Sequence, residues 1–226
     1  MKDRKLLMIP GPIEFTPTVL QAMGLPTTSQ ALVRLRDVFM CPDGQPFVLA
    51  GSGTLAMDTV AANLIEPGEK ALVVNSGYFG DRYAAILERY GAVVTNLKAL
   101  AVGDVPSLEA VERELQSGTY ALMTITHVDT SSAVKTDVQN LATLGRQYNV
   151  LVVVDGVCSI AGEELRQRDW GVDVALTASQ KAIGVPPGLA LVMAAPSAIA
   201  KFRARKSPGL NYYADLTEWR PVMQAY

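Results

Sequence analysis

Lys181 stands in the stretch TASQKAIGVPPG (residues 177–188), between a polar turn and a Pro-Pro-Gly stop, directly after an apolar run. A lysine held at a strand end without an anionic sequence neighbour is a candidate Schiff-base nucleophile. A phosphate-binding or snorkelling lysine is the plainer alternative. Asp155 closes the preceding apolar run, in VLVVVDGVCS (150–159). A carboxylate there requires a cation, a metal or several donors, because an unpaired buried charge is very costly; capping of the next turn is the other explanation. In AGSGTLAMD (50–58), Gly51, Ser52 and Gly53 lead into a helix opening at Thr54. Free N–H groups at a helix start, approached past glycine, suit a phosphate. Simple capping by Ser52 or Thr54 explains the turn equally well, and the spacing is neither a Walker loop nor GxGxxG. VNSGYFGDR (74–82) presents Tyr78 and Phe79; such an aromatic either stacks on a flat ring or opens a helix as a core residue. THVDTSSA (126–133) holds the single histidine, His127, followed by Asp129, Thr130 and Ser131. No cysteine or second histidine joins it, so no metal site is expected, and Thr130 and Ser131 read on their own as loop-forming hydroxyls.

These clusters need elements to bring them together. Apolar runs at 46–50, 71–77, 92–97, 120–127, 150–156, 172–179 and 188–195 mostly lack period-two alternation, which predicts strands covered on both faces. Helices are predicted between them at 54–64, 79–90, 107–117, 137–148 and 196–206, with Phe79, Tyr83, Ile86, Leu87 and Tyr90 on one face. Alternating strand and helix argue for a mainly parallel α/β sheet with right-handed crossovers. Ligands of such sheets bind outside the carboxyl ends of the strands, which is where all the clusters above fall. The first 45 residues and the last 20 break the rhythm and are expected to wrap the sheet or meet a partner.

Composition narrows the partners. With 226 residues and 49% hydrophobic content the chain supports a sizeable core. Twenty Lys and Arg against 22 Asp and Glu, with no basic block, argue against nucleic acid. Cys41 and Cys158 are too few and too far apart for a disulfide scaffold or a CxxC site, which favours a reducing, intracellular setting. The basic start MKDRKLLMIPGP loses its apolar run at Pro10, and the run near 188–195 is too short to cross a bilayer, so neither a signal nor a membrane span is expected. A phosphate cradle, a stacking aromatic, a buried carboxylate and a lysine are together the parts that hold pyridoxal phosphate. The carboxylate keeps the ring nitrogen protonated and the lysine carries the aldehyde carbon. A nucleotide-binding α/β oxidoreductase using GSGT as its phosphate loop is the competing reading, and it leaves Lys181 and Asp155 unexplained.

At these residues the chain resembles the class V, fold-type-I pyridoxal-phosphate aminotransferases, above all the alanine/serine–glyoxylate group. The likeness is carried by SGT, GYFGDR, VDGVCS, GVDVALTASQKAIGVPPGLALV and the opening IPGPIEFTPTVLQAM, and runs from near residue 8 to the end. Cysteine desulfurases of the same class look different, placing a histidine before the lysine. The resemblance implies an αβα sandwich, the fold-type-I large domain, over 46–226. Residues 1–45 would contribute to a dimer interface and the active-site rim, and the family's small C-terminal domain would lie beyond Tyr226. It implies that Lys181 binds the cofactor and shuttles the proton between substrate Cα and cofactor C4′, that Asp155 pairs with the pyridine nitrogen, and that Val157 packs on the ring face opposite Phe79. Ser52, Gly53 and Thr54 would hold the phosphate with help from Gln180, Thr130 would approach the phenolic oxygen, and the Gly11–Pro12 turn would line the substrate carboxylate pocket.

The implied reaction moves the amino group of alanine or serine to glyoxylate, giving glycine and a 2-oxo acid, in a homodimer placed in the peroxisome or cytoplasm. Ureidoglycine–glyoxylate or another small-amino-acid transamination, or a desulfurase-like activity, are the alternatives within the class. The chain departs from the family at HVDTSSA, where HxExSTG is usual, so Asp129 stands for glutamate and Ala133 for glycine. The stretch near Gln30 is also shorter than usual.

Overall fold

The computed structural model describes residues 16–22, 31–208 and 211–224. In chain order the elements are α1 (Pro17–Ala22), α2 (Ala31–Val38), β1 (Gln45–Gly51), α3 (Gly53–Leu64), β2 (Lys70–Asn75), α4 (Tyr78–Arg89), β3 (Val93–Lys98), α5 (Leu108–Ser117) and β4 (Leu122–Thr126). There follow β5 (Val128–Asp129), β6 (Val134–Lys135), α6 (Val138–Gln147), β7 (Leu151–Asp155), α7 (Gln167–Trp170), β8 (Val174–Ala178), β9 (Gly188–Ala194), α8 (Pro196–Arg203) and α9 (Leu216–Gln224). All seven apolar runs become the strands of one sheet, ordered β1-β9-β8-β7-β4-β2-β3. Every neighbouring pair is parallel except those made by β9, which runs against both β1 and β8.

Both faces of the sheet are covered. Val73, Leu122, Val153, Leu176 and Val192 face a layer containing Met57, Val60 and Leu64 of α3, Tyr83 and Leu87 of α4, Phe202 of α8 and Leu216 of α9. Their chain neighbours Leu72, Met123, Val152, Ala175 and Leu191 face the opposite layer, with Val111 and Leu115 of α5 and Val138 and Leu141 of α6. Side chains alternate across a strand, so two covered faces require an unbroken apolar run. The run at 92–97 is the exception. It forms β3 at the sheet edge, where Val93 is 54% exposed, because no strand among the described residues pairs beyond it.

Residues 31–44 do not simply wrap the sheet. Leu32 joins the first layer and Phe39 and Cys41 the second, and burial lifts the Cys41 thiol to about 11. At the other end, buried Asn63 in α3 fixes the last segment. Its amide donates to Thr59 O at 2.7 Å and Ala214 O at 2.6 Å and accepts from Leu216 N at 3.0 Å. Tyr213 Oη reaches Ala50 O of β1 at 3.2 Å, which ties the same segment to the carboxyl end of that strand. The short hairpin β5–β6 and the single-turn α7 carry too few residues for a periodic signal and were not expected from the sequence. Among the described residues, no helix is long and apolar enough to cross a membrane.

Candidate active site

The carboxyl ends of β1, β4, β7 and β8 surround a cavity of about 290 Å³. Ser52, Gly53, Thr54, Phe79, Asp155, Val157, Gln180 and Lys181 all line it, delivered by the four strand-to-turn junctions that follow β1, β2, β7 and β8. Lys181 lies in the connection from β8 to β9. Ser179 closes that loop: its N–H donates to Leu189 O at 3.1 Å, its hydroxyl donates to Pro186 O at 2.7 Å, and Leu189 N donates to the hydroxyl at 3.2 Å. Gly184 takes φ +76°, a left-handed conformation suited to glycine, and its N–H caps Lys181 O at 2.9 Å. The lysine is therefore half-buried on a cross-braced loop, and Pro186 and Pro187 stiffen the return.

The cradle and the far wall are fitted to one another. A Cβ on Gly53 would lie 2.6 Å from Val157 Cγ2, so only glycine lets the turn before α3 approach β7 this closely. Ser52 is the N-cap of α3 but its side chain makes no capping bond, so the turn's hydroxyl is not spent on the helix. That weighs against simple capping by Ser52. Asp155 is 3% exposed and accepts a bond from Val157 N at 3.0 Å. Burial, then the neighbouring Asp129 carboxylate, push its carboxyl up to about 6, against the lowering effects of that N–H and of Arg82. A carboxyl so placed would be relieved by a cationic N–H, which a protonated pyridine supplies. Gln180 Oε1 is buried without a partner among the described residues, and its amide can turn a donor toward an anion.

Phe79 is set by the hairpin. Asp129, fully buried, accepts from Phe79 N at 3.1 Å with one oxygen and from Ser131 N at 2.9 Å and Ser131 Oγ at 2.6 Å with the other. Ser131 Oγ in turn accepts from Tyr78 N at 2.9 Å. Of the N–H groups opening α4, that of Phe79 thus ends on a carboxylate from another strand and that of Tyr78 on the serine hydroxyl bonded to it, and the carboxylate also favours the positive end of the helix dipole. A Cβ on Gly77 would fall 2.6 Å from Ser131 Oγ and 2.7 Å from Asp129 Cγ, so the contact requires glycine there.

Several lining residues escaped the sequence reading. Arg82 donates from Nη1 to Thr54 Oγ1 at 2.9 Å and from Nη2 to Tyr78 Oη at 3.3 Å, with its guanidinium 5.0 Å from the centroids of both Tyr78 and Phe79. Its four-residue spacing from Tyr78, the residue just before the helix predicted at 79–90, was the available signal. Thr126, Val128, Met57 and Cys158 complete the wall. Thr126 and Val128 are one strand period apart, whereas His127 between them turns to the other side of the hairpin. Thr130 does not line the cavity. It neighbours Cys158, whose thiol pKa is raised by burial against the lowering influence of Lys181 and Thr130. Gly11 and Pro12 lie outside the described residues.

Residues 29–217 match the family Aminotransferase class-V. The chain is 39% identical to alanine–glyoxylate aminotransferase 1 of Saccharomyces cerevisiae, with all of this chain and 64% of the yeast protein aligned. The chain belongs to the class V aminotransferase family. Among solved structures, alanine–glyoxylate aminotransferase from Nostoc superposes with TM-score 0.90 at 30% identity, over 99% of this chain and 63% of that one. Ureidoglycine–glyoxylate aminotransferase from Bacillus subtilis superposes with TM-score 0.91 at 26% identity, over 99% and 61%. The chain therefore spans somewhat under two thirds of the length of these relatives. Its sheet is that of the fold-type-I transferases, an αβα sandwich. Class V aminotransferases are pyridoxal-phosphate-dependent enzymes, and the glycine cradle, the partly satisfied Asp155 and the lysine of this class V chain fit that cofactor. The oxidoreductase reading of GSGT falls away.

Proposed function

We propose that this chain carries the cofactor-binding part of an aminotransferase that moves the amino group of alanine or serine to glyoxylate, giving glycine and a 2-oxo acid. The observation that carries the reading is the convergence of Lys181, Asp155 and the Ser52–Gly53–Thr54 turn on one cavity. Pyridoxal phosphate supplies, when bound, an aldehyde to take up the amino group and an electron-withdrawing ring. Lys181 Nζ would hold the aldehyde end of the cofactor and, when released from it, would be placed to carry a proton between substrate Cα and cofactor C4′. Asp155 orients the ring nitrogen and keeps its proton. Phe79 and Val157 would clamp the two ring faces and exclude water, and the N–H groups opening α3, with Thr54 and Gln180, would bind the phosphate; Thr130, which stands outside the cavity lining, would have to turn inward to reach the phenolic oxygen. Gly11 and Pro12 are assigned to the substrate carboxylate. Running the same proton shift in reverse on glyoxylate completes a ping-pong cycle.

Glyoxylate appears in the names of the yeast, Nostoc and Bacillus relatives, whereas the amino donors differ, so the acceptor is the better-supported substrate. Ureidoglycine is the alternative donor on the Bacillus likeness. Homodimerisation through residues 1–45 and the cavity rim fits the exposure of Tyr78, Leu189 and Tyr213, which all border the carboxyl end of β1 or the start of α4. Residues 46–226 form the large domain in this reading. Cys41 and Cys158 are free thiols, consistent with a reducing compartment such as the cytoplasm or peroxisome.

The deciding experiment is an absorbance spectrum between roughly 300 and 500 nm with added pyridoxal phosphate, before and after borohydride, beside Lys181→Ala. A bound-cofactor band that borohydride removes and the variant lacks supports the reading. A wild-type spectrum indistinguishable from free cofactor, or identical to that of the variant, refutes the role of Lys181. Amino-donor screening against glyoxylate then separates alanine, serine and ureidoglycine.

A further inference from the structure

Away from the cofactor cavity, α8, the segment after it and α9 enclose a second cavity of about 310 Å³ against the carboxyl end of α3. Arg203, Arg205 and Arg220 line it, together with Ser207, Thr217 and Asp215. Three arginines and one aspartate line it; Asp215 Oδ1 accepts from Thr217 N at 2.8 Å and from Thr217 Oγ1 at 2.6 Å, and the Glu66 carboxylate beside Ser207 is taken up by Lys206 N at 3.2 Å and Ser207 N at 3.0 Å. Arg205 is anchored by Nη1 on Ala62 O and by Nε on Ser207 Oγ at 3.1 Å, yet its Nη2 is buried with no acceptor among the described residues. Arg220 Nε is likewise buried with no acceptor among the described residues. Buried guanidinium donors without acceptors are expensive, and the planar fork of arginine matches phosphate and carboxylate oxygens in pairs. Nothing in the transamination chemistry uses these residues.

We propose that this cavity is a binding site for a small oxyanion, phosphate or carboxylate, held by Arg205 and Arg220 with Arg203 at the rim. Small turns of the Arg205 and Arg220 heads bring their open N–H edges onto the anion. Arg205 and Arg220 come from segments on either side of residues 209–210, so an occupant would cross-link α9 to the end of α8 and to α3, and stiffen the segment whose Tyr213 touches β1 beside the phosphate cradle.

The test uses the chain saturated with pyridoxal phosphate, so that the cofactor cradle is filled, and titrates inorganic phosphate and, separately, acetate by calorimetry, with Trp219 fluorescence as a local reporter beside Arg220. A saturable isotherm for either anion, absent with chloride at equal ionic strength and weakened about tenfold or more in Arg220→Gln, is the expected result. Saturation by phosphate alone identifies a tetrahedral ligand; saturation by both identifies a general oxyanion site. Arg203→Gln provides a second, more exposed substitution with a smaller expected loss. No saturation with either anion, or isotherms unchanged in both variants, overturns the proposal. Because Arg220→Gln leaves the cofactor cavity intact, loss of anion binding in that variant with cofactor binding retained separates this site from the cofactor cavity and from the transaminase reading.

Discussion

Two buried aspartates at neighbouring strand ends are treated in opposite ways. In the hairpin after β4, Asp129 receives two backbone N–H groups and a hydroxyl and is satisfied entirely by the protein. After β7, Asp155 receives one N–H, and burial leaves its carboxyl pushed up to about 6. The first is built to position α4 and Phe79. The second is left short of a partner on the cavity wall, which is the arrangement expected of a group whose partner arrives with a ligand. A fully bonded carboxylate supports structure, and an under-bonded one marks where chemistry is to happen.

This contrast can be broken by substitution. Asp155→Asn should cost the transaminase about 100- to 1000-fold in kcat, roughly 3–4 kcal/mol of barrier. The cofactor-free chain should at the same time be no less stable, because a strained carboxyl has been removed. Loss of stability together with activity would mean that Asp155 is structural.

The pH dependence of the cofactor-free chain is the next largest effect. The folded pKa of Asp155 lies above its ordinary 3.8, so its proton favours the folded state and stability is lost as pH rises from about 4 to 6. For His127, burial first and then Lys135 lower the pKa from 6.5 to about 4, against Glu163, so stability is lost as pH falls through that interval. Each shift of a little over two units is worth about 3 kcal/mol, and the two oppose one another. Urea unfolding between pH 4 and 7 should therefore show little net slope from this pair in the wild type. Asp155→Asn should unmask stability rising with pH, and His127→Gln should unmask stability falling. Parallel profiles for all three proteins would contradict the assignment.

Asp129→Asn should destabilise the fold by about 2 kcal/mol, because an amide donor would face N–H donors. Cofactor affinity should fall with it as Phe79 loses its anchor, read by equilibrium unfolding and cofactor titration. Ser131→Ala, which removes one acceptor from Tyr78 N, should cost about 1 kcal/mol with little change in kcat.

The strand runs were legible because burial on both faces leaves no room for polar residues, and the placement of Lys181, Asp155 and the Ser52–Gly53–Thr54 turn followed from the rule that such sheets bind at their carboxyl edge. Asp129 and Arg82 were not legible in their structural roles. Both act across long sequence separations, Asp129 on Phe79 and Arg82 on Thr54, and a local pattern cannot record a partner that only the crossover brings near. The role of Thr130 was suggested by the resemblance alone, and in the fold it stands outside the lining of the cavity, beside Cys158.

The lone reversed strand has a consequence for the order in which the cavity is assembled. β8 and β9 are joined by the short loop bearing Lys181, whereas β1 must find β9 across most of the chain, Gln45 opposite Ala194. Local pairings close at lower entropic cost than distant ones. The lysine wall should thus form early and the phosphate cradle, which hangs from the end of β1, should dock last and detach first. Native-state hydrogen exchange would show this as amides of β1 opening at lower free energy than those of β8. Loss of the phosphate grip would then precede loss of the lysine loop, and a cell's supply of cofactor would act on the last step of folding.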